Sequence, residues 1–416
     1  MASLFPPPVW PERTTRFAEA VAGFSAFGRG ARRALELEGL ERPVPMHVNE
    51  FWTARQRQSH PLHEVSYRAC FKPQLPGFFV ERLTAPGERV FDPFMGRGTT
   101  PLEAALRGRV PAGNDANPLS AVLLRPRLAP PRLEEVEERL STLDLGAAGE
   151  APEELLAFYH PETLAELCAL RGYLLEREAS GALDGVDAWI RMVAVNRLTG
   201  HSPGFFSVYT LPPNQAVSVA AQRQINAKRQ QVPEPRPIKP RILSKTRSLL
   251  RGLTPADRAS LLALAPQASL SAAPASDVPL PDASVALAVT SPPFLDVVDY
   301  QADNWLRCWF CGIDPAEVEL TTPRDPQRWA DSMQETLAEL LRVVRPGGHV
   351  AFEVGEVRGG TLALEQLVLP RAAAVGFVPV LLMINAQDFT KTANCWGVTN
   401  GSRGTNTNRI SVLLRP

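Results

Sequence analysis

The stretch Asp92 to Thr100, DPFMGRGTT, constrains this chain more than any other. It follows a short apolar run, Arg89 to Phe91, that reads as a buried strand, and it leads into Thr99 to Arg107, which reads as a helix. Gly96 and Gly98 carry no Cβ, so the loop is free to turn sharply and to approach a ligand closely. VPAGNDANP then supplies a second short strand ending at Asp115. Strand, glycine loop, helix, strand, acid is the opening of a doubly wound α/β sheet. There Asp92 sits at the carboxyl edge, placed to accept bonds from a cationic amine or to orient the loop, and Asp115 sits where an acid meets a ribose diol. Taken alone, the loop is equally a plain strand–helix turn. No Gly-Lys-Ser/Thr follows it and it is not GxGxxG, which argues against a triphosphate or a dinucleotide.

The α/β alternation stops near residue 120 and resumes near Ala268. Between them, Arg132 to Leu145, Pro152 to Glu178 and Asp187 to Leu198 read as helices, with acids clustered early in the first two. From Arg191 to Arg251 there are eleven basic residues and one acid, Glu234, and VPEPRPIKPRI inside that stretch reads as extended because of its four prolines. After Ala268, SVALAVT is a buried strand, Ser332 to Val344 a helix closed by RPGG, HVAFEVG a strand and Leu364 to Ala374 a helix. FVPVLLMIN and RISVLLRP are the last strands, separated by a loop from Ala386 to Asn408. The first 60 residues hold a proline-rich start and a helical stretch near Phe17 to Leu40. Three parts follow: an N-terminal extension (1–60), an α/β domain (61–120 and 266–416), and an inserted helical and basic lobe (121–265).

At 416 residues the chain has room for two to three domains and needs neither disulfides nor a structural metal. Its 44 basic residues balance 44 acidic ones, which excludes a wholesale basic nucleic-acid binder and leaves room for a local basic surface. Only five of the basic residues are lysines, so a single arginine says little. No apolar run reaches the roughly 18 residues of a membrane span, and the start has no signal-peptide pattern, so a soluble cytoplasmic protein is expected. Five cysteines form no disulfide framework. Cys308 and Cys311, in CWFC, are a lone pair in an apolar helical stretch and read as buried thiols, not zinc ligands. His60 and His63, in SHPLHE, read as loop polarity or as a substrate contact.

TSPPF, Thr290 to Phe294, also ends a buried strand and belongs on the same sheet edge as Asp92. Two consecutive prolines remove two donors and hold the chain extended. Ser291 and the Pro292 carbonyl become acceptors aimed at one point beside the Phe294 ring. That arrangement suits an exocyclic amino group on a flat ring. Read alone, it is also an ordinary Pro-Pro turn.

Together and in this order, DPFMGRGTT and TSPPF resemble the motifs of S-adenosylmethionine-dependent amino-methyltransferases, most closely the DNA methyltransferases that modify N4 of cytosine. YRACFKPQLPGFFVERL (Tyr67 to Leu83) is similar to the family segment that packs on the methionine end of the cofactor, and NDANP to its ribose-binding strand end. RPGGHVAFEVG and TNTNRISVLLRP are similar to later pieces of the same family. The resemblance covers roughly 60–115 and 268–416. It implies a Rossmann-like doubly wound methyltransferase sheet with a large, mainly helical insertion forming a second lobe. For the cofactor it implies Phe71, Lys72, Pro73, Asp92, Pro93, Phe94, Gly96, Gly98, Thr99, Thr100, Asp115, Asn117 and Thr290. For catalysis it implies Ser291, Pro292, Pro293 and Phe294. The family's acid for the cofactor adenine is displaced here, with Asp277 or Ser276 in its place, and Phe294 replaces the commoner tyrosine.

The implied reaction moves a methyl group from S-adenosyl-L-methionine, leaving S-adenosyl-L-homocysteine, to N4 of a cytosine flipped out of double-stranded DNA. Transfer is direct and needs no metal. Methylation at C5 requires a thiolate, usually presented as Pro-Cys, and no cysteine here follows a proline. N6 of adenine in DNA, a base in RNA, and a non-catalytic DNA-binding subunit of the same fold are the alternatives; Ser before Pro-Pro favours cytosine. DNA contacts are expected from the basic stretch, at Arg223, Lys228 and Arg229 among interleaved Asn and Gln, and from Asn400, Arg403 and Asn406 in the late loop. No membrane partner is expected; the setting is bacterial cytoplasm at the nucleoid. A cognate restriction endonuclease, and a monomeric or dimeric state, stay open.

Overall fold

The structure is a computed structural model, and it describes residues 10–28, 30–53, 59–68, 70–146, 151–212, 215–293, 295, 300–314, 318, 323–357, 361–386 and 407–416. The N-terminal part supplies α1 (Glu12–Ala22), β1 (Ala31–Leu35), β2 (Val44–Asn49) and α2 (Gln74–Leu83). β3 (Arg89–Asp92), α3 (Thr99–Leu106) and β4 (Val110–Asn114) form the first parallel unit. Seven helices follow: α4 (Leu119–Leu128), α5 (Leu133–Thr142), α6 (Pro161–Ala179), α7 (Gly185–Val195), α8 (Val219–Arg229), α9 (Ile238–Leu250) and α10 (Pro255–Leu264). The sheet resumes with β5 (Ser269–Ser271) and β6 (Val285–Thr290), then α11 (Tyr300–Cys311), α12 (Pro326–Val343) and β7 (Val344–Val354). A small ribbon of β8 (Glu356–Val357) and β9 (Leu362–Ala363) precedes α13 (Glu365–Val375), β10 (Val378–Ala386) and β11 (Thr407–Leu414).

The main sheet runs β1-β2-β10-β11-β7-β6-β3-β4-β5. β3 pairs in parallel with both β4 and β6, while β11 is antiparallel to both β10 and β7. Strand order therefore reverses at β3: the chain first winds outward through β4 and β5, then returns to β6 on the other side. Such a switch point leaves a crevice at the carboxyl ends of the two central strands. This is a Rossmann-like doubly wound sheet with a helical insertion. Every residue of β6, VALAVT, is buried, as a central strand covered on both faces requires.

One face is covered by α1 and α2 through an aromatic group including Phe17, Phe51, Trp52, Phe78 and Phe79. The other is covered by α12 and α13. Helix α12 turns Trp329, Ala330, Met333, Leu337, Leu340 and Val343 inward, and its N-cap Asp325 accepts the Gln327 and Arg328 N–H groups at 3.0 and 2.9 Å. The insertion helices pack into a core shared with Leu102 and Ala105 of α3 and with Leu306, Cys308, Phe310 and Cys311 of α11. No helix among the described residues is long and apolar enough to cross a membrane.

Two local readings change. The helical stretch near Phe17 to Leu40 ends at Ala22; beyond it lie β1 and β2, and β2 joins the sheet in parallel with β10. Gly30 permits this path, since a Cβ there would stand 2.3 Å from the Val48 carbonyl oxygen. VPEPRPIKPRI is extended only as far as Pro237. Helix α9 starts at Ile238, with Pro240 in its first turn, where the missing N–H has no helical partner to lose.

Candidate active site

The β3 and β6 ends meet. Thr290 Oγ1 donates to Asp92 Oδ1 at 2.6 Å, and the Phe94 N–H donates to the same oxygen at 3.0 Å. Asp92 is only 1% exposed, and burial raises its carboxyl to about 7 against the opposing hydrogen bonds from Thr290, Phe94 and Thr100. Thr100 also donates to the Val289 carbonyl at 3.0 Å, pinning the start of α3 to β6. One strand over, Asp115 receives the Gly96 and Asn117 N–H groups, each at 2.9 Å, and burial raises its pKa as well. The glycine loop is thus clamped between two acids.

Its two glycines serve different ends. Gly96 has φ +50°, and a Cβ there would lie 3.4 Å from the Tyr67 ring. Gly98 has φ +76°, and a Cβ would fall 2.8 Å from Leu124 of α4. The structure therefore ties Gly98 to helix packing beneath the loop. Arg97 ties the loop outward: it donates to the Val65 carbonyl at 2.9 Å and to the Phe71 carbonyl at 3.4 Å.

These elements enclose a cavity of about 480 Å³, in the range of small-molecule sites. Phe71, Asp92, Pro93, Phe94, Gly96, Thr99, Asp115, Ser291 and Pro293 line it, so the two motifs face one space. Gly98, Thr100, Asn117, Thr290 and Pro292 lie outside the lining. Asn117 is buried, with its Oδ1 accepting the Leu119 N–H at 2.9 Å. Lys72 and Pro73 stand at the start of α2, where their carbonyls accept the Leu75 and Gly77 N–H groups. Asp277 is exposed and outside the lining, whereas Ser276 is part of it. Phe294, Asn400, Arg403 and Asn406 lie outside the described residues.

Several lining or supporting residues were not singled out from sequence. Tyr67, Arg68 and Cys70 line the cavity, as do Ser332, Glu335 and Thr336 of α12. Buried Asn114 joins the three strand-end loops: it donates to the Pro93 and Ala273 carbonyls at 3.3 and 2.9 Å and accepts from Ser271 Oγ at 2.7 Å. Trp329 Nε1 donates to the Pro293 carbonyl at 2.8 Å, fixing the proline pair to α12. Behind Ser291 is Glu353 of β7, buried, its pKa raised by burial and opposed by hydrogen bonds from the Ser291 and Asn408 side chains, the latter at 3.0 Å. Strand register puts it there, since Thr290 pairs with Phe352.

Both histidines of SHPLHE are structural. His63 is buried with its Nε2 2.6 Å from Glu103 Oε2, and His60 Nδ1 accepts the Leu62 N–H at 3.2 Å. Cys308 and Cys311 are buried in the shared core, and burial pushes the Cys311 thiol up to about 12.

The structure also sorts the basic stretch. Arg191, Lys245, Arg247 and Arg251 pair with Glu178, Glu64, Glu137 and Glu64 respectively. Arg236, Lys239 and Arg241 donate to backbone carbonyls of Phe205, Leu143 and Pro203. Arg197 stacks on Phe205 at 4.0 Å, and Arg229 on Tyr209 at 3.7 Å. Arg223 and Lys228 are exposed on α8. Gln222 and Asn226 turn inward, donating to the Tyr209 and Ala157 carbonyls at 3.2 and 2.8 Å, and so are withdrawn from any base-reading role. Asn214 lies outside the described residues.

Fold and site define a Rossmann-like sheet with a cavity of small-molecule size at its switch point. Residues 30–119 match the model of a family described as N6/N4-type DNA methylase. No curated protein matches the chain. Among solved structures, a Thermus thermophilus protein provisionally assigned as a DNA modification methylase, complexed with S-adenosyl-L-methionine, is 22% identical over 34% of this chain and 51% of its own, with a TM-score of 0.22. Its selenomethionine derivative matches over 47% of its own length, so the chain spans about half of that protein. Geranyl diphosphate methyltransferase, in complex with GPP and sinefungin, is 11% identical over 83% of this chain and 78% of its own, with a TM-score of 0.36. The fold assignment rests on the strand order.

Proposed function

We propose that the chain is an S-adenosyl-L-methionine-dependent DNA methyltransferase acting on N4 of cytosine in double-stranded DNA. The observation that carries this reading is the meeting of the glycine loop and the Ser-Pro-Pro segment around one cavity. The residues suit the cofactor: a buried carboxylate at Asp92 for a cationic group, and Asp115 at the adjoining strand end for a ribose diol. Ser276 and Glu335, which both line the cavity, offer acceptors for the adenine amino group, whereas Asp277 is outside the lining. The bound cofactor would supply a methyl group on a cationic sulfur.

Ser291 is the residue given to the target amine. In the proposed arrangement the Ser291 hydroxyl donates to the Glu353 carboxyl group, which leaves the serine lone pairs to accept an amino hydrogen. The Pro293 carbonyl is occupied by Trp329, so the Pro292 carbonyl is the second acceptor assigned. Two such acceptors would draw the amino hydrogens aside and free the nitrogen lone pair for the transfer, and Phe294 is the residue proposed to stack on the flipped base. With S-adenosyl-L-methionine bound, its methyl group would pass to the amino nitrogen, S-adenosyl-L-homocysteine would leave, and the amine's proton would go to solvent. Asp92, Asp115 and the loop position the reactants; none forms a covalent intermediate.

DNA contacts are proposed at Arg223 and Lys228 on α8, and at Asn400, Arg403 and Asn406; Arg229, expected from sequence to join them, stacks on Tyr209 instead. The matching family model spans N6 and N4 methylases, so N6 of adenine is the second reading, and Ser291 is the feature that favours cytosine. Ser291→Ala tests the proposal: methyl transfer should fall by about 100-fold or more while cofactor binding persists. Undiminished turnover would remove Ser291 from the chemistry.

A further inference from the structure

Of the eleven basic residues between Arg191 and Arg251, nine have a partner in the body of the protein, and the two whose side chains stand without one among the described residues, Arg223 and Lys228, share one helix. Helix α8 is sharply two-sided. Gln222 is buried and Asn226 half-buried against the segment around Ala157 and Tyr209, and Arg229 is turned to the same side by its stack on Tyr209. At about 100° per residue the exposed positions other than Arg229, which lies on the Gln222 side, fall on one arc of roughly 140°, in the order Arg223, Ala227, Ala220, Gln224, Lys228.

The centre of that arc is two alanines. Arg223 stands at one margin, Gln224 on the other side and Lys228 beyond it. Alanines at the centre let a helix seat deeply, while an arginine and a glutamine beside them reach the edges of guanine and adenine, the bidentate pairings those side chains favour. A lysine at the margin meets phosphate. The arc holds no acid. At 11 residues α8 is about 16 Å long, compatible with the major groove, and it stops at Gln230, whose φ is +50°.

The root of α8 is fastened close to the cavity. The Ala216 N–H donates to the Asp303 carbonyl at 3.1 Å, and Trp305 Nε1 donates to the Val217 carbonyl at 3.2 Å. Asp303 in turn takes the guanidinium of Arg68, which lines the cavity, at 2.9 Å. Helix α11, carrying Asp303 and Trp305, comes directly after the Ser-Pro-Pro segment in the chain.

We infer that α8 is the helix that reads the DNA sequence, entering the major groove with Arg223 and Gln224 against base edges and Lys228 on phosphate. This rests on the reading of the cavity as a DNA methyltransferase centre. Sequence preference is then set outside the methyltransferase sheet, by two side chains that leave the cavity untouched.

The test is selection of duplexes from a randomised library by the full chain with S-adenosyl-L-homocysteine bound, followed by sequencing. Wild type should select a defined site. Arg223→Ala and Gln224→Ala should each lose about 10-fold or more discrimination at one base pair, at different positions. Lys228→Ala should weaken every sequence alike and flatten the salt dependence by about one phosphate. Unchanged S-adenosyl-L-homocysteine affinity and unchanged thermal melting exclude misfolding. Wild-type preference retained at every position in both Arg223→Ala and Gln224→Ala overturns the inference, as does a wild type that selects no sequence. A wild type that selects a site but methylates nothing overturns the catalytic reading instead, while the selection still decides the role of α8.

Discussion

Replacing Asp92 by Asn should change how stability depends on pH. Asp92 is buried, and its carboxyl is raised from the ordinary 3.8 to about 7. A group raised in the folded state holds a proton there that the unfolded chain has already lost. Its stabilising effect is therefore complete below about pH 4 and disappears as pH rises through 7. A shift of about three pKa units corresponds to about 4 kcal/mol over the whole range, of which roughly 2–3 kcal/mol lies between pH 5 and pH 8. Asn keeps the Oδ1 that accepts the Thr290 hydroxyl and the Phe94 N–H, and it does not titrate. Urea unfolding of both proteins at pH 5 and pH 8 isolates the effect, because every other group titrates alike in the two. The wild type should lose roughly 2–3 kcal/mol more than Asp92→Asn on going to pH 8. Equal losses would show that Asp92 is ionised throughout and that its burial has been misjudged.

Glu353→Gln should lower the rate of methyl transfer by about 10-fold or more with little change in cofactor affinity, because an amide can donate to Ser291 and turn its lone pairs away; an unaltered rate would remove Glu353 from its role in orienting the serine. Gly98→Ala should cost about 2–5 kcal/mol, from a left-handed backbone and a crowded Leu124 together. Gly87→Ala, at φ +81° with open space around it, should cost only about 1–2 kcal/mol, and equal losses in thermal melting would dismiss the Leu124 contact. Glu335→Ala should erase a preference for S-adenosylhomocysteine over its inosine counterpart, which lacks the adenine amino group; calorimetry showing the full preference would move adenine recognition elsewhere. DNA containing 5-fluorocytosine should leave no covalent protein adduct, and a trapped complex would contradict direct transfer.

The cavity edge was readable because its signals are local. A strand of VALAVT, two glycines at positive φ and a proline pair declare themselves within a few residues, and strand order then brings Asp92 and Ser291 to one cavity. The supporting residues come from far along the chain. Asn114 bridges loops more than 150 residues apart, and Glu353 reaches Ser291 only through the pairing of β6 with β7. Strands β1 and β2 were hidden because β1 is almost wholly exposed at the sheet edge and shows no buried alternation. The positive charge of the 191–251 stretch was plain in the sequence, yet charge cannot say which arginines are spent on Glu64, Glu137 or backbone carbonyls. Only the packing of Gln222 and Asn226 shows which face of α8 remains. His63 escaped for the same reason: its partner Glu103 lies forty positions on, in the middle of α3.

The most direct measurement is the identity of the methylated nucleoside. Purified protein would be incubated with duplex DNA and S-adenosyl-L-methionine carrying a labelled methyl group, the DNA digested to nucleosides, and the labelled species resolved by mass spectrometry. The account predicts N4-methyl-2′-deoxycytidine, absent from the Ser291→Ala reaction. N6-methyl-2′-deoxyadenosine would keep the chemistry and correct the base; 5-methyl-2′-deoxycytidine, or no labelled nucleoside at all, would contradict the account.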